Sequence, residues 1–241
     1  MNMSATFDLF EGMVQGQIRR EELCPGAVLL RGFAAENEAA IFAELPGVTA
    51  PAPFRHMVTP GGFRMSIAIT NCGRYGWVTD RTGYRYSPVD PESRQPWARM
   101  PGVFFDLARN AAACAGFEGF EPDACLVNRY EPGARLSLHQ DKNEHDFTAP
   151  IVSVSLGVPA IFLWGGLRRE DKAVRIPLMH GDVMIWGGPA RLRYHGVLPV
   201  KEGHHHLAGK HRINLTFRKV INSDNPDLLK KTPHACTRGQ L

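Results

Sequence analysis

The chain lacks any closely spaced cysteine pair. Its five cysteines, Cys24, Cys72, Cys114, Cys125 and Cys236, are scattered and form no C-x-x-C. That argues against a zinc ribbon, a dithiol redox motif and a disulfide framework, and favours free thiols in a reducing compartment. It also lacks a long apolar run. The longest, Ile151 to Trp164, is interrupted by Ser153, Ser155, Gly157 and Pro159, too short and too broken to span a membrane as a helix. Met1-Asn-Met-Ser-Ala-Thr-Phe-Asp8 shows no basic stretch followed by an apolar one, so no secretory signal is expected. A cytoplasmic protein without a membrane partner follows as the expectation. No repeat or low-complexity linker divides the 241 residues, a length that suits one domain with a substantial core. Nor is the charge strongly one-sided: 28 basic against 24 acidic side chains leave a net +4. This mild basic excess is compatible with a polyanionic partner but does not by itself demand one.

That excess is local. Between residues 54 and 86 stand Arg55, Arg64, Arg74, Arg81 and Arg85 against one acid, Asp80, a local balance of +4 that leaves the rest of the chain neutral. Six aromatics are interleaved: Phe54, Phe63, Tyr75, Trp77, Tyr84 and Tyr86. Guanidinium groups meet phosphates and aromatic faces stack on bases. Glycines at 61, 62, 73, 76 and 83 permit tight turns. The segment reads as a nucleotide-binding lid. The bland alternative is a pair of hairpins whose aromatics pack on the core, since Trp and Tyr are mostly buried in folded proteins.

The stretch Leu136-Ser-Leu-His-Gln-Asp141 alternates in polarity. In a strand, side chains at i and i+2 share a face, so Ser137, His139 and Asp141 point one way and Leu136 and Leu138 the other. With His195 from a distant strand, two imidazoles and one carboxylate can cap one face of an octahedron. That set suits non-heme Fe(II) and leaves three positions for a chelating co-substrate and O2. A lone H-x-D is weak evidence, and a second one is present. His180-Gly-Asp182 could face His195 across a hairpin turning at Gly187-Gly-Pro-Ala190; otherwise it is a polar turn leading into the buried run Val183-Met-Ile-Trp186. Spacing alone leaves both triplets open.

In Arg212-Ile-Asn-Leu-Thr-Phe-Arg218, alternation puts Arg212, Asn214, Thr216 and Arg218 on one face and Ile213, Leu215 and Phe217 on the other. A face with two arginines, an amide and a hydroxyl fits a dry core poorly, because a buried guanidinium needs an anion. The arginine backbones would lie about 20 Å apart, leaving between inward-reaching arms roughly the length of a five-carbon diacid, with a bidentate contact at each end. A solvated strand with its charges in water is the plain alternative. His204-His-His206, flanked by Gly203 and Gly209, reads as a solvated loop rather than a metal site.

Along the chain, residues 1–22 read as an N-terminal arm with weak structure. Residues 35–45 form a predicted helix ended by Pro46-Gly47, and 101–115 a second, with Val103, Leu107 and Ala111 as its apolar stripe. From Ala124 the pattern changes to short runs bounded by Gly and Pro: 124–130, 135–141, 150–156, 160–164, 174–179, 182–186, 192–199 and 211–219. Such spacing predicts an α+β, mainly β chain. Its core over 124–219 is a double-stranded β-helix, or jelly roll, with supporting helices and an N-terminal nucleotide-recognition lid over 54–90. One domain over 23–219 and a disordered tail over 220–241 complete the expected plan.

At this point the chain resembles the AlkB family of Fe(II)/2-oxoglutarate-dependent dioxygenases, and within it the bacterial DNA-repair branch. The resemblance rests on Met57-Val-Thr-Pro-Gly-Gly62, Thr70-Asn-Cys-Gly73, Pro122-Asp-Ala-Cys125, Asn128-Arg-Tyr130, Leu136-Ser-Leu-His-Gln-Asp-Lys142, Ala149-Pro-Ile-Val-Ser-Val-Ser-Leu-Gly157, His180-Gly-Asp-Val183, Trp186-Gly-Gly188, Tyr194-His-Gly196 and Arg212-Ile-Asn-Leu-Thr-Phe-Arg218. It implies that His139, Asp141 and His195 are the metal ligands and catalytic centre, and that His180 is not a ligand. It implies that Arg212 and Arg218 bind the carboxylates of 2-oxoglutarate, and that Asn128, Tyr130 and Asn214 hydrogen-bond to it. Trp77 and His139 would flank a flipped methylated base; Thr59, Phe63, Tyr84, Asn143, Ser153 and Arg169 would contact substrate, with Trp186 shaping the pocket. The chain departs from the pattern at Asn143, where the relatives resembled carry Asp, and at Phe63, where they carry Tyr.

The implied activity is repair of N1-methyladenine and N3-methylcytosine type lesions in single- or double-stranded DNA, or RNA, by a monomer. Hydroxylation by Fe(II), 2-oxoglutarate and O2 would release formaldehyde, succinate and CO2. Two alternatives stand beside it. An oxygenase of this type acting on a protein or small molecule would have no need of the basic, aromatic segment. A non-catalytic damage-binding module would have no reason to keep His139, Asp141, His195, Arg212 and Arg218 together.

Overall fold

The computed structural model describes residues 19–221; the predicted arm up to residue 18 and the predicted tail from 222 lie outside that range. Alternating and wholly apolar runs become strands, and they sort into two facing sheets. The larger has seven: β1 (Arg19–Cys24), β2 (Ala27–Arg31), β3 (Ala68–Gly73), β6 (Ala124–Tyr130), β8 (Ile151–Gly157), β11 (Val183–Trp186) and β13 (Arg212–Arg218), in the order β1-β2-β11-β8-β13-β6-β3. The smaller has β7 (Leu136–His139), β9 (Ala160–Trp164), β10 (Val174–Leu178) and β12 (His195–Val197), in the order β10-β9-β12-β7. A separate hairpin of β4 (Gly76–Asp80) and β5 (Gly83–Ser87) lies in the segment that carries the arginine–aromatic pattern. All paired strands are antiparallel. The result is a jelly-roll core.

Period-2 alternation explains the layering. From β13, Ile213, Leu215 and Phe217 point outward and join Val152, Val154 and Leu156 of β8 and Val183 and Ile185 of β11. Onto this outer face pack helices α1 (Glu38–Thr49) and α2 (Gly102–Cys114). α2 contributes Phe104, Leu107, Ala108, Ala111 and Ala112, so Leu107 and Ala111 of the predicted stripe are its buried side. Phe117 N–H bonds to Ala112 O and Gly116 N–H to Ala113 O, with Gly116 at φ +89°, the left-handed closure that only glycine adopts cheaply. Between the sheets, Phe162, Trp164, Ile176, Val197 and Trp186 form a second apolar layer. The polar inward face of β13 adjoins it.

Several boundaries differ from expectation. Arg19–Cys24 is a strand that begins inside the segment predicted as an arm, residues 1–22, because β2 is buried and offers its free edge to pair with. Val220 and Ile221, predicted as the start of the tail, are buried against Tyr75 and Leu126, and the Asp123 carboxylate accepts their N–H groups. Pro46 does not end α1. A three-residue 3-10 turn, Ala35–Asn37, precedes the helix, which continues past the proline. Pro46 deletes one donor, but its carbonyl still accepts Ala50 N–H at 2.9 Å, and buried Val48 anchors the last turn. Among the described residues, no helix is long and apolar enough to cross a membrane.

Candidate active site

β7 and β12 are neighbours, and their register sets His139 opposite His195 with ring centroids 4.4 Å apart. β7 ends at His139, so Asp141 lies just beyond the strand and not, as predicted, within it. The i+2 relation still carries its carboxylate to both rings. His139 Nε2 is 3.6 Å from Asp141 Oδ1, and His195 Nε2 is 3.5 Å from Oδ2. Each imidazole donates Nδ1–H to a backbone carbonyl two residues earlier, Ser137 O at 2.9 Å and Arg193 O at 3.0 Å. A carbonyl can only accept, so the proton sits on Nδ1 and the Nε2 lone pairs face the carboxylate. Two imidazole nitrogens and a carboxylate oxygen are a donor set for Fe(II).

Electrostatics hold these groups in ligating form. Burial, then repulsion from His195, pushes His139 down to about 4. Burial would raise Asp141, but the Arg218 guanidinium and the two histidines outweigh it and hold the carboxyl well below the usual range. Arg218 Nη2 donates to Asp141 Oδ2 at 2.7 Å. Burial works against its charge, yet Asp141, Tyr86 and Glu144 together raise its pKa.

The inward side chains of β13 line the same chamber. Asn214 Nδ2 donates to Ser153 Oγ at 2.8 Å and Val154 O at 2.9 Å, and Asn214 Oδ1 accepts from Asn128 and Thr216. Arg212 is buried, lies 4.8 Å over the Tyr130 ring and donates Nη2 to Ser155 Oγ at 3.1 Å. Among the described residues, its Nε and Nη1 are buried without a partner, as is Nε of Arg218. Burial lowers Arg212, with no carboxylate facing it, and burial raises the Tyr130 phenol. Buried guanidinium donors without acceptors are the feature that an anionic ligand satisfies, which fits a dicarboxylate co-substrate. The two arginines differ in their other partners. Arg218 commits Nη2 to Asp141 and Nη1 to Tyr86, while Arg212 keeps two donors free.

A cleft of ≈ 780 Å³ joins these groups to the surface. Thr59, Phe63, Trp77, Tyr84, Asn143, Ser153 and Arg169 all line it, so every site residue predicted from the sequence reaches one cavity. Trp77 of β4 stacks on Tyr84 of β5 at 5.7 Å and 21°, and its indole N–H donates to Asn143 Oδ1 at 3.4 Å. Phe63 is 76% exposed and Tyr84 48%. Thr59 Oγ1 accepts Phe63 N–H and shapes the tip that presents that ring. Exposed Arg169 reaches back to Leu138 O at 3.0 Å. Trp186 stands edge-on to His195 at 4.9 Å.

The arginines of the lid divide. Arg55 is tied to Asp90 and Glu92, and Arg85 to Asp80, so neither is free for phosphate as predicted. Arg64, Arg74 and Arg81 are exposed and, among the described residues, make no ion pair. The aromatics divide too, with Tyr75 and Tyr86 buried in the core. His180 lies outside the site: its Nδ1 accepts Gly157 N–H at 2.9 Å and its Nε2 is 2.8 Å from Glu38 Oε2. Asp182 accepts Gly32 N–H and Met179 N–H, as a turn organiser does.

Two residues beside the site, Glu144 and Arg191, escaped the sequence reading, and Tyr86 was read only as a lid aromatic. Glu144 Oε1 accepts the Tyr86 hydroxyl at 2.5 Å, Glu144 Oε2 is 2.9 Å from Arg191 Nη2, and Arg191 Nη1 donates to Asp141 O at 2.7 Å. All three are buried behind the metal ligands. Burial raises the Tyr86 phenol well above its ordinary value, so it remains a donor. Glu144 lies in an irregular stretch where no periodicity assigns a face; its only signal is a third acid-base side chain shortly after Asp141.

Comparisons with known proteins agree with this geometry. The sequence profile of the 2OG-Fe(II) oxygenase superfamily matches residues 26–218. The chain is 56% identical over 201 residues to alpha-ketoglutarate-dependent dioxygenase AlkB of Escherichia coli, covering 83% of this chain and 93% of that one. It is 44% identical over 170 residues to the AlkB homolog of Caulobacter vibrioides, covering 70% and 76%. The solved structure of OsALKBH1 superposes with a TM-score of 0.73 at 30% identity, over 83% of this chain and 100% of that one.

Proposed function

Since the chain belongs to the AlkB family of 2OG-Fe(II) oxygenases, enzymes that use Fe(II), 2-oxoglutarate and O2, we propose that it is an oxidative demethylase of N-alkylated bases in nucleic acid. The observation that carries this reading is a single cleft with two unlike ends. At its floor lie His139, Asp141, His195 and the free donors of Arg212. At its mouth stand exposed Phe63 and Tyr84, with Trp77 beside them. A base extruded from its strand needs both an apolar sandwich and access to a reactive centre. The substrates proposed are N1-methyladenine and N3-methylcytosine in DNA, with RNA as a second substrate.

In this reading His139, Asp141 and His195 hold the iron, while Arg212, Arg218, Asn128, Tyr130 and Asn214 hold 2-oxoglutarate. Bound iron and 2-oxoglutarate supply the oxidising equivalents from O2, with succinate and CO2 as products and one oxygen atom delivered to the N-methyl carbon. The resulting N-hydroxymethyl base loses formaldehyde and regains its pairing edge. The chain's own work is positional. Trp77 and the His139 ring flank the base; Asn143, Thr59, Ser153 and Arg169 meet its edges and backbone. Arg218, held by Asp141 and Tyr86, keeps the carboxylate ligand ionised. Residues 23–219 are proposed as one catalytic domain, with 54–90 as its recognition lid. The protein is proposed to work as a monomer in the cytoplasm, a setting that suits the free thiols of Cys24, Cys72, Cys114 and Cys125.

The test is anaerobic loading with Fe(II), 2-oxoglutarate and methylated oligonucleotides, then O2, with the bases read by mass. His139→Ala, Asp141→Ala and His195→Ala are expected to abolish demethylation and His180→Ala to retain it. Trp77→Ala is expected to weaken oligonucleotide binding about 5- to 150-fold, the value of one stacked base, without loss of metal or 2-oxoglutarate. Unimpaired binding and repair by Trp77→Ala would show that the segment is not the nucleic-acid lid, and absence of any base demethylation by the parent would favour a protein or small-molecule substrate.

A further inference from the structure

In the run His204-His-His206, His204 and His206 are exposed as expected of a solvated loop, while His205 is half-buried. His205 pairs with Gly209 through two backbone hydrogen bonds, each 2.8 Å, which folds the loop back on itself. The fold carries two of the three imidazoles to the first residue of α1. His206 Nε2 lies 3.4 Å from Glu38 Oε1 and His205 Nε2 lies 3.9 Å from Glu38 Oε2. We propose that Glu38, His205 and His206 form a second metal site, separate from the cleft, for a borderline divalent cation of the Zn(II) class.

The donor chemistry and the spacing both support this. Two imidazole nitrogens and a carboxylate oxygen, with an outer position left to water, are a ligand set for zinc. Tetrahedral bonds of about 2.0–2.1 Å put neighbouring donors about 3.3 Å apart. The three donor atoms here lie within 4.8 Å of one another, the span that also contains the His139, Asp141 and His195 donors. Closing the site around an ion therefore needs movements of well under a side-chain length. The one hydrogen bond that the His205 ring would give up is long, from Leu207 N–H to His205 Nδ1 at 3.3 Å.

His180 Nδ1 accepts Gly157 N–H, so its proton resides on Nε2, which lies 2.8 Å from Glu38 Oε2 without hydrogen-bond alignment. His180 therefore flanks the carboxylate as a close neighbour. His180 and His205 stack at 4.2 Å and 20°, and His205 and His206 lie 4.4 Å apart. The His206 side chain is 66% exposed, which leaves a path for entry and room for water. A bound ion would tie α1 to the loop that leads into β13 and Arg212.

The donors of His139, Asp141 and His195 also suit zinc-class ions, so the test counts sites. Metal-free protein is dialysed against Zn(II) and the bound metal measured by mass spectrometry; Co(II) is then titrated as a spectroscopic probe. The parent is expected to bind a second equivalent, with the intense visible bands of low-coordinate Co(II). Asp141→Ala should lose one equivalent and keep those bands. Glu38→Gln, near-isosteric, and His206→Ala, at an exposed position, should lose the bands and one equivalent while keeping the triad's metal. A parent that binds one equivalent, abolished by Asp141→Ala, overturns the proposal. So does a second equivalent that survives Glu38→Gln, His205→Ala and His206→Ala alike. None of these readouts depends on demethylation, so the two proposals fail separately.

Discussion

Two arginines on one strand face do different work because their neighbours differ. Arg212 has two buried donors without acceptors, whereas Arg218 shares its charge with Asp141, Tyr86 and Glu144. Removing a desolvated charge partner costs on the order of 2–5 kcal/mol, more than tenfold in affinity. Arg212→Ala is therefore expected to raise the 2-oxoglutarate KM more than tenfold with metal affinity intact. Arg218→Ala should raise the KM and also weaken Mn(II) binding, since Asp141 loses the contact that keeps it ionised and aimed. Steady-state kinetics and electron paramagnetic resonance titration separate the two; equal metal affinity in both variants would refute the asymmetry. Asn143 offers a neutral oxygen to the Trp77 indole N–H at 3.4 Å. A carboxylate there makes a stronger acceptor for an exocyclic amine. Asn143→Asp is expected to shift the ratio of N1-methyladenine to N3-methylcytosine repair towards adenine in competition assays.

At the scale of elements, the β4–β5 hairpin is held at its base by the turn that follows it. Buried Asp90 accepts the Arg55 guanidinium and the N–H groups of Glu92 and Ser93. Burial alone would raise its pKa, but Arg55 and the turn amides outweigh that and lower it. The unfolded chain thus binds this proton at higher pH than the folded one. The stabilisation is complete above the unfolded carboxyl value of about 3.9 and is lost as pH falls through the lower folded value. Asp90→Asn should cost about 1.5–3 kcal/mol at neutral pH, the worth of hydrogen bonds to a charged group. It should also flatten the acid limb of stability below about pH 4. Urea midpoints across pH 3–7 measure both; an unaltered acid limb would assign that limb to other carboxylates. β7 and β12 illustrate a second point. Only four and three residues long, they matter through register, which sets His139 against His195.

For the molecule as a whole, the positive excess is narrower than a count of arginines suggests. With Arg55 and Arg85 neutralised internally, the lid's own charge available to a polyanion reduces to Arg64, Arg74 and Arg81, beside Arg135, Lys142 and Arg169 in the cleft lining. Each phosphate contact on a single strand contributes about 0.7 to the slope of log affinity against log salt. Replacing Arg64, Arg74 and Arg81 by Ala is expected to reduce that slope by up to about 2. Replacing Arg55 should change stability and leave the slope alone. Binding to a methylated oligonucleotide across a salt series checks this, and an unchanged slope in the triple variant would move the phosphate path elsewhere.

Local sequence determined what depends on alternation. The inward Arg212–Asn214–Thr216–Arg218 face, the β8 and β6 strands, the α2 stripe and the i+2 relation of His139 and Asp141 follow from a period of two or 3.6, which is a property of neighbouring residues. Tertiary structure alone decided what depends on pairing between distant segments. Two H-x-D triplets were equally spaced; the resemblance implied His139, and the β7–β12 register is what physically sets it against His195 while His180 faces Glu38. Five arginines looked alike until Asp90 and Asp80 removed two of them. Glu144 and Arg191 carry no periodic signal because their stretches are irregular, and their role exists only where they meet Tyr86 and Asp141. The histidine run read as solvent-facing because nothing nearby in the chain complements it; its carboxylate comes from Glu38, far away in sequence and adjacent only once α1 is laid on the sheet.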